Sequence, residues 1–387
     1  MKFASAITRE RDTRRAAQLL VDELGCQFDE PVDFSTLFFT SHHVEGILDV
    51  LDAVGAGLSP RHIIGCSGEG VIGADQEIER QPGMSLIAGL LPGTTLQPFH
   101  LDSGDWRPLL KDPSKLNVLI RPRLDTRAIL AIGDPYTTPV HDALSLLGEA
   151  APGCPIVGGM ASGGGHGQNI LICNERIHTT GLVGMTISGQ VRIDTVVSQG
   201  CRPVGERMMV TRSDGNMIEQ IGGKKALLVA MDLIESLDPG DQALLENGLY
   251  LGIAVNEYQD QFERGDFLVR NLWADEESGA ISVGEPVSVG QTIRFHLRDA
   301  STADEDLRIL MKRQGTGHPP AGGLLFSCNG RGTRLFKRNG HDIMAVLDSV
   351  PTTPLAGFFA AGEFGPVRGS NFIHGHTASV MLFREVQ

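Results

Sequence analysis

Cys328 ends a short apolar run, in Phe326-Ser327-Cys328-Asn329-Gly330-Arg331-Gly332, with an arginine three residues on. A cation beside a thiol lowers its pKa, and a strand end gives the thiolate access to solvent. Cys328 is therefore expected to be the most reactive thiol of the chain. The same spacing suits a buried cysteine in a tight turn with a salt-bridged arginine. No matching base is evident in the sequence, which places nucleophilic catalysis behind binding. Near the C-terminus, His374 and His376 fall two residues apart in Asn371-Phe372-Ile373-His374-Gly375-His376-Thr377 and share a face if that stretch is a strand. Such a pair can hold a metal, a haem iron or an anion, although hydrogen-bonded structural histidines are commoner. Glu69, Glu363 and Asn371 lie among glycines at other strand ends. The planar fork of Arg331 suits a carboxylate, and Glu363 or Glu69 suits an ammonium group, a combination fitting a zwitterion such as an amino acid. A structural salt bridge would use the same residues.

Three further motifs carry less. Gly68-Glu69-Gly70-Val71-Ile72-Gly73 matches G-x-G-x-x-G after a strand, but no helix follows to receive a pyrophosphate, so a dinucleotide site is not expected. Gly163-Gly164-Gly165-His166-Gly167 lacks the Lys-Ser/Thr of a P-loop and reads as a flexible turn. The six cysteines include no Cys-x-x-Cys pair, which argues against a zinc ribbon or a thioredoxin motif and for free thiols in a reducing compartment. The net charge of −14 argues against nucleic acid as a partner. No apolar signal core and no run of about 18 apolar residues is present, so neither export nor a membrane partner is expected, and the cytoplasm is the expected location.

The elements that position these residues form a repeat. A short apolar strand (Leu37–Phe39, Ile129–Ile132, Leu324–Phe326) precedes a helix with apolar residues at i, i+3, i+4 and i+7. The stripes are Val44, Ile47, Leu48, Leu51; Val140, Ala143, Leu144, Leu147; and Ile343, Val346, Leu347, Val350. Thr138-Pro139 reads as N-cap and first helical residue. Each helix leads to a strand that runs into glycine, at Ile63–Gly70, Ile156–Gly159 and Leu355–Glu363, and then to hairpin-connected strands. The expected fold is α/β (α+β): repeated β-α-β-β units, with two mixed sheets packed face to face and helices outside. Residues 105–123 read as a linker or long loop, and Asn216–Leu237 as containing a helix ended by Pro239-Gly240-Asp241.

The blocks Gly65–Gly73, Phe326–Gly332 and Gly357–Pro366 occur in the order seen in the FIST family, which the chain resembles over roughly residues 30–383. The resemblance implies a FIST N-terminal domain over 1–220, with two repeats, and a FIST C-terminal domain over 221–387, with one. It implies a small-molecule sensor of signal transduction, with amino acids among the proposed ligands, acting through a separate signalling protein such as a kinase. Binding is expected rather than catalysis, with no cofactor; a haem-dependent nitric-oxide sensor is the alternative the family offers, and an enzyme using Cys328 a further one. The ligand is expected at the glycine-rich strand ends, among Cys66, Ser67, Glu69, Cys328, Asn329, Arg331, Glu363, Asn371, His374 and His376. His376 departs from the family pattern.

Overall fold

Gly65, Gly158 and Gly357 each lie opposite the middle of a parallel strand, paired with Leu37, Ala131 and Leu325. A Cβ at these positions would fall 2.0, 1.8 and 1.7 Å from the carbonyl oxygen of the paired residue, so only glycine fits. The three sites mark three copies of one unit in the computed structural model, which describes residues 1–258, 262 and 265–386.

Each unit runs edge strand, helix, first strand, helix, second strand, hairpin, last strand. In the first these are Lys2–Thr8, Thr13–Gly25, Phe34–Thr40, Ile47–Leu58, His62–Gly68, Gly70–Gly73 with Gln76–Glu79, and Met84–Leu90. The second has Thr94–Leu101, the short helices Trp106–Lys111 and Leu116–Ile120, Thr126–Gly133, Val140–Ala150, Ile156–Met160, Leu171–Cys173 with Arg176–His178, and Leu182–Gly189. The third has Val191–Gln199, Ala300–Gln314, Gly322–Cys328, His341–Leu347, Leu355–Ala360, Glu363–Val367 with Ser370–His374, and Thr377–Glu385. First and second strands pair in parallel, and the last strand pairs antiparallel to the first, giving mixed sheets. Each six-stranded sheet is completed by the hairpin of the following repeat, and the third sheet by the hairpin of the first. The exchange is a closed cycle. The connection from each helix to its second strand passes through a left-handed residue, at Ser59, Gly153 or Thr352, and the hairpins turn through Ala74, Asn174 and Arg368, also left-handed.

The inner faces of the three sheets share one core, with Phe38, Leu130 and Phe326 among its members. Outside, each sheet is covered by its own helices, over Leu20 and Val50, over Leu144 and Leu147, and over Leu307 and Val346. Residues 199–306 with 374–376 form a second compact unit, separate from the unit of 1–198, 307–373 and 377–387. Its seven-stranded antiparallel sheet buries Leu251, Ile281 and Phe295 under the helix Ala226–Ser236. No helix among the described residues is long and apolar enough to cross a membrane.

The repeated β-α-β-β units, mixed sheets and outer helices agree with expectation; three sheets rather than two share the first unit's core. The second and third stripes face inward, with Val140 and Leu347 half-buried and the rest buried, but the first is out of phase. Residues 41–46 form a 3-10 turn, and Ile47, Val50, Val54 and Leu58 face inward while Leu48 is exposed. Thr138 does not cap its helix: its hydroxyl donates to the Gly181 carbonyl at 2.7 Å, and Pro139 holds the cap position. Residues 105–123 are not a linker, because Trp106, Leu109, Leu116 and Ile120 are buried as the second repeat's outer helices. The expected helix at Asn216–Leu237 begins only at Ala226, and Pro239 opens a new short helix capped by Asp238.

Candidate functional site

The shared register makes the three repeats comparable residue by residue. Val71 pairs with Phe358, Leu171 with Cys66, and Glu363 with Gly159, each one step from the conserved glycine pairing, so the three occupy one place in their hairpins. Val71 and Leu171 are fully buried in the shared core. Glu363 is fully buried as well. The fold asks for an apolar side chain there, and the third repeat supplies a carboxyl.

Glu363 Oε2 accepts from the Thr377 hydroxyl at 2.7 Å and its N–H at 3.2 Å, while Oε1 has no nitrogen or oxygen partner among the described residues. Burial pushes its pKa up to about 8, with Thr377, Arg331 and the nearby Cys328 thiol only partly offsetting this. At neutral pH it is a protonated acid. Cys328, at the end of the first strand, is half-buried. The chain then turns through an Arg331 N–H to Cys328 carbonyl bond of 2.7 Å. Gly332 takes φ +55°, where a Cβ would lie 2.6 Å from the Glu79 carboxylate, and Glu79 in turn accepts from the Thr333 N–H at 3.0 Å.

Beneath the thiol, Arg331 is fully buried and forks onto Asp342, with Nε to Oδ2 at 2.7 Å and a terminal nitrogen to Oδ1 at 2.8 Å. Ser327 Oγ donates to Asp342 Oδ2 at 2.6 Å, and His341 Nδ1 meets Oδ1 at 2.9 Å with its ring stacked on Phe336. Burial opposes ionisation of Asp342, but the Arg331 guanidinium outweighs it and holds the carboxyl far below its usual range. Glu77 lies nearby, its pKa raised to about 8 by burial and by the Asp342 charge. Above the thiol, Arg334 pairs with Glu69 through both terminal nitrogens and donates to the Asn329 carbonyl at 2.7 Å. This pair is 40% and 31% exposed. A buried neutral acid and a half-buried thiol thus lie beside a closed ionic cluster, with a partly exposed ion pair next to them.

A model of the FIST N domain matches residues 35–224, and one of the FIST C domain matches residues 226–366. The chain belongs to the FIST family. An uncharacterized protein of Mycobacterium tuberculosis is 38% identical over 395 residues, covering 99% of this chain and 100% of its own. Another, from Mycobacterium bovis, is 36% identical over 394 residues and covers 99% of each chain. FIST domains are associated with sensory signal transduction and small-ligand binding.

Of the residues named from the sequence, this FIST structure brings Glu69, Cys328, Asn329, Arg331 and Glu363 together. Arg331 and Glu363 are corrected in their roles. Neither head group opens to solvent, and the arginine fork is already filled by Asp342 rather than free for a carboxylate. Cys66 is buried in the shared core, with burial raising its pKa well above the usual thiol value. Ser67 accepts from the Ile170 N–H at 3.0 Å and is a structural strut. Asn371 accepts from the Ile156 N–H (2.8 Å) and donates to the Cys154 carbonyl (3.0 Å), holding the start of the second repeat's second strand. His374 and His376 do not share a strand face, because the strand ends at His374 and His376 takes φ +63° in the following turn. His374 is buried, whereas His376 meets Asn271 at 3.0 Å and packs on Tyr250. Among the described residues, no group of three or more His, Cys, Asp or Glu is placed to hold a metal ion. Sequence reasoning missed Ser327, Arg334, Asp342, Thr377 and Glu77. Only Asp342 left a signal, an acid interrupting the apolar start of a helix that the packing buries.

Proposed function

We infer that this FIST protein is a small-molecule sensor whose ligand binds at the strand end of the third repeat, over Cys328 and Glu363. The observation that carries the reading is the buried carboxyl of Glu363 at a place where the other two repeats hold valine and leucine. Packing does not call for it, and perturbed buried acids beside accessible polar groups mark functional sites. Buried as a neutral acid, Glu363 underlies the site, while the half-buried thiol and the Asn329 carbonyl offer the ligand its contacts. Energetics decide which ion pair opens for a ligand. Breaking a buried pair such as Arg331–Asp342 costs about 3–5 kcal/mol, whereas an exposed pair such as Arg334–Glu69 is worth about 1 kcal/mol or less. Arg334 and Glu69 therefore separate, the arginine taking a carboxylate and the glutamate an ammonium group. The ligand class is a zwitterion of amino-acid type, and the signal passes to a separate signalling protein.

A thermal-shift screen of the amino acids and related metabolites tests this. A ligand at 100 times its Kd stabilises the fold by about 2.7 kcal/mol. At least one compound raises the Tm of the wild type, and Arg334→Ala abolishes that shift. No shift with any compound, or equal shifts in Arg334→Ala, would overturn the reading.

A further inference from the structure

The cyclic exchange of hairpins creates the same groove three times, where the loop before a second strand meets the hairpin turn lent by the following repeat. In the second sheet this groove lies between Pro152-Gly153 and Gly369-Ser370, with His141 and Glu149 at its rim. In the third it lies between Thr352-Thr353 and Ala74-Asp75, with Glu23 beside it. Neither contains a lysine or an arginine. The groove of the first sheet is the largest, about 870 Å³, and its chemistry is different.

Its walls are apolar, formed by Leu51, Pro60, Ile63, Pro98 and Phe99. Its rim is cationic. Arg61 enters from the loop and Arg176 from the hairpin, while His100 on the edge strand and His178 on the hairpin stack face to face at 3.5 Å between ring centroids. Arg176 is exposed and makes no ion pair among the described residues, whereas Arg61 lies 3.4 Å from Asp33 with its side chain 73% exposed. His100 Nε2 meets the Thr180 carbonyl at 3.1 Å. Asp102, already receiving the Thr180 hydroxyl, is the acid that acts on His178, and the exposed Glu175 also lines the groove. Cys173 on the hairpin points its thiol to the Phe99 carbonyl, and burial keeps it protonated, with a pKa near 11.

A groove common to three repeats is a consequence of the fold, so its shape alone says nothing about use. Two arginines and a stacked imidazole pair in only one copy, on a chain of net charge −14, are not required by that fold. We propose that the first-sheet groove is a second binding site, separate from the Cys328 site, for a flat organic anion: an apolar or aromatic body carrying a carboxylate, sulfonate or phosphate group. The body lies against Pro98, Phe99 and the stacked rings, and the charged group meets Arg176 and Arg61. Burial and the neighbouring His100 hold the His178 pKa below the ordinary imidazole value in the free protein, with Asp102 acting the other way. A bound anion favours the imidazolium, so binding strengthens as the pH falls from 8 to 6.

The probe is 8-anilinonaphthalene-1-sulfonate, which joins a flat apolar body to one anionic group. Its fluorescence is titrated against the full chain at pH 6 and pH 8. Saturable binding is expected, at least threefold tighter at pH 6 and at least tenfold weaker in Arg176→Glu, an exposed position whose replacement leaves the Tm unchanged. Ring-proton NMR signals of His100 and His178 shift on saturation. Glu363→Gln and Arg334→Ala bind the dye as the wild type does, which separates this site from the one proposed above. Binding that Arg176→Glu leaves intact, that ignores pH, or that leaves the two histidine signals unmoved overturns the proposal.

Discussion

At pH 7 Glu363 is neutral in the folded protein and ionised in the unfolded chain, where its ordinary value is 4.5. A raised folded pKa gives stability that is fully present below pH 4.5 and is lost as the pH rises through about 8. Glu77 acts in the same direction over the same window. Glu363→Gln keeps an acceptor for Thr377 and removes one of the two titrations. The variant should match the wild type near pH 4.5 and exceed it by roughly 1–3 kcal/mol at pH 8.5, with a shallower but surviving decline from Glu77. Chemical denaturation across that range measures it; an unchanged pH profile would place the Glu363 pKa near its ordinary value. At the thiol, the Arg331 and Arg334 charges both act on Cys328 and favour thiolate. Alkylation followed by peptide mapping should label Cys328 ahead of the exposed Cys26 and well ahead of Cys66, Cys154 and Cys173, whose pKa values burial raises. Faster labelling of Cys26 would show that exposure outweighs charge. Cys328 and Glu363 were legible as candidates because strand-end blocks expose them in the sequence. The partner of Arg331 was not, since Asp342 comes from a helix eleven residues away and only packing brings it to the fork.

The glycine-rich strands were visible in the sequence, but their cause lay elsewhere. Gly65, Gly158 and Gly357 serve backbone approach between parallel strands, not approach to a ligand. Gly357→Ala would drive a methyl group to 1.7 Å from the Leu325 carbonyl oxygen and should cost about 3 kcal/mol or more, at the upper end of single-substitution effects. Gly148→Ala makes the opposite case: it sits inside the helix Val140–Ala150 with nothing within 4 Å of the added methyl. It should stabilise by about 0.5–1 kcal/mol. Denaturant midpoints of the two variants test both signs, and equal effects would contradict the close-approach account. The first repeat's helix was read one position out of phase because Val44 belongs to a 3-10 turn, whose different rise moves Leu48 to the solvent side. The Trp106–Lys111 and Leu116–Ile120 helices were missed for another reason. Each is too short for a full apolar period, and Pro108 and Pro113 hide the pattern.

Across the molecule, three copies of one unit give a built-in control. What all three share, such as the parallel pair, the glycine contact and the exchanged hairpin, belongs to the scaffold. What one copy holds alone is a candidate for function, and Glu363 with Cys328 in the third repeat is the case that the geometry supports most strongly. The repeat itself was legible from apolar periodicity. The exchange of hairpins between repeats was not, because pairing partners distant in the chain leave no local pattern. Nor was the insertion of the second unit into the chain after the edge strand Val191–Gln199 of the third repeat. The central claim, that the ligand sits at the third repeat's strand end, is tested most directly by hydrogen–deuterium exchange with and without the compound that stabilises the wild type. The account predicts slowed amide exchange at residues 327–334 and 360–364. It predicts none at the matching strand ends of the other repeats, residues 39–43 and 133–138. Protection at those matching ends, or no added protection at 327–334, would contradict it.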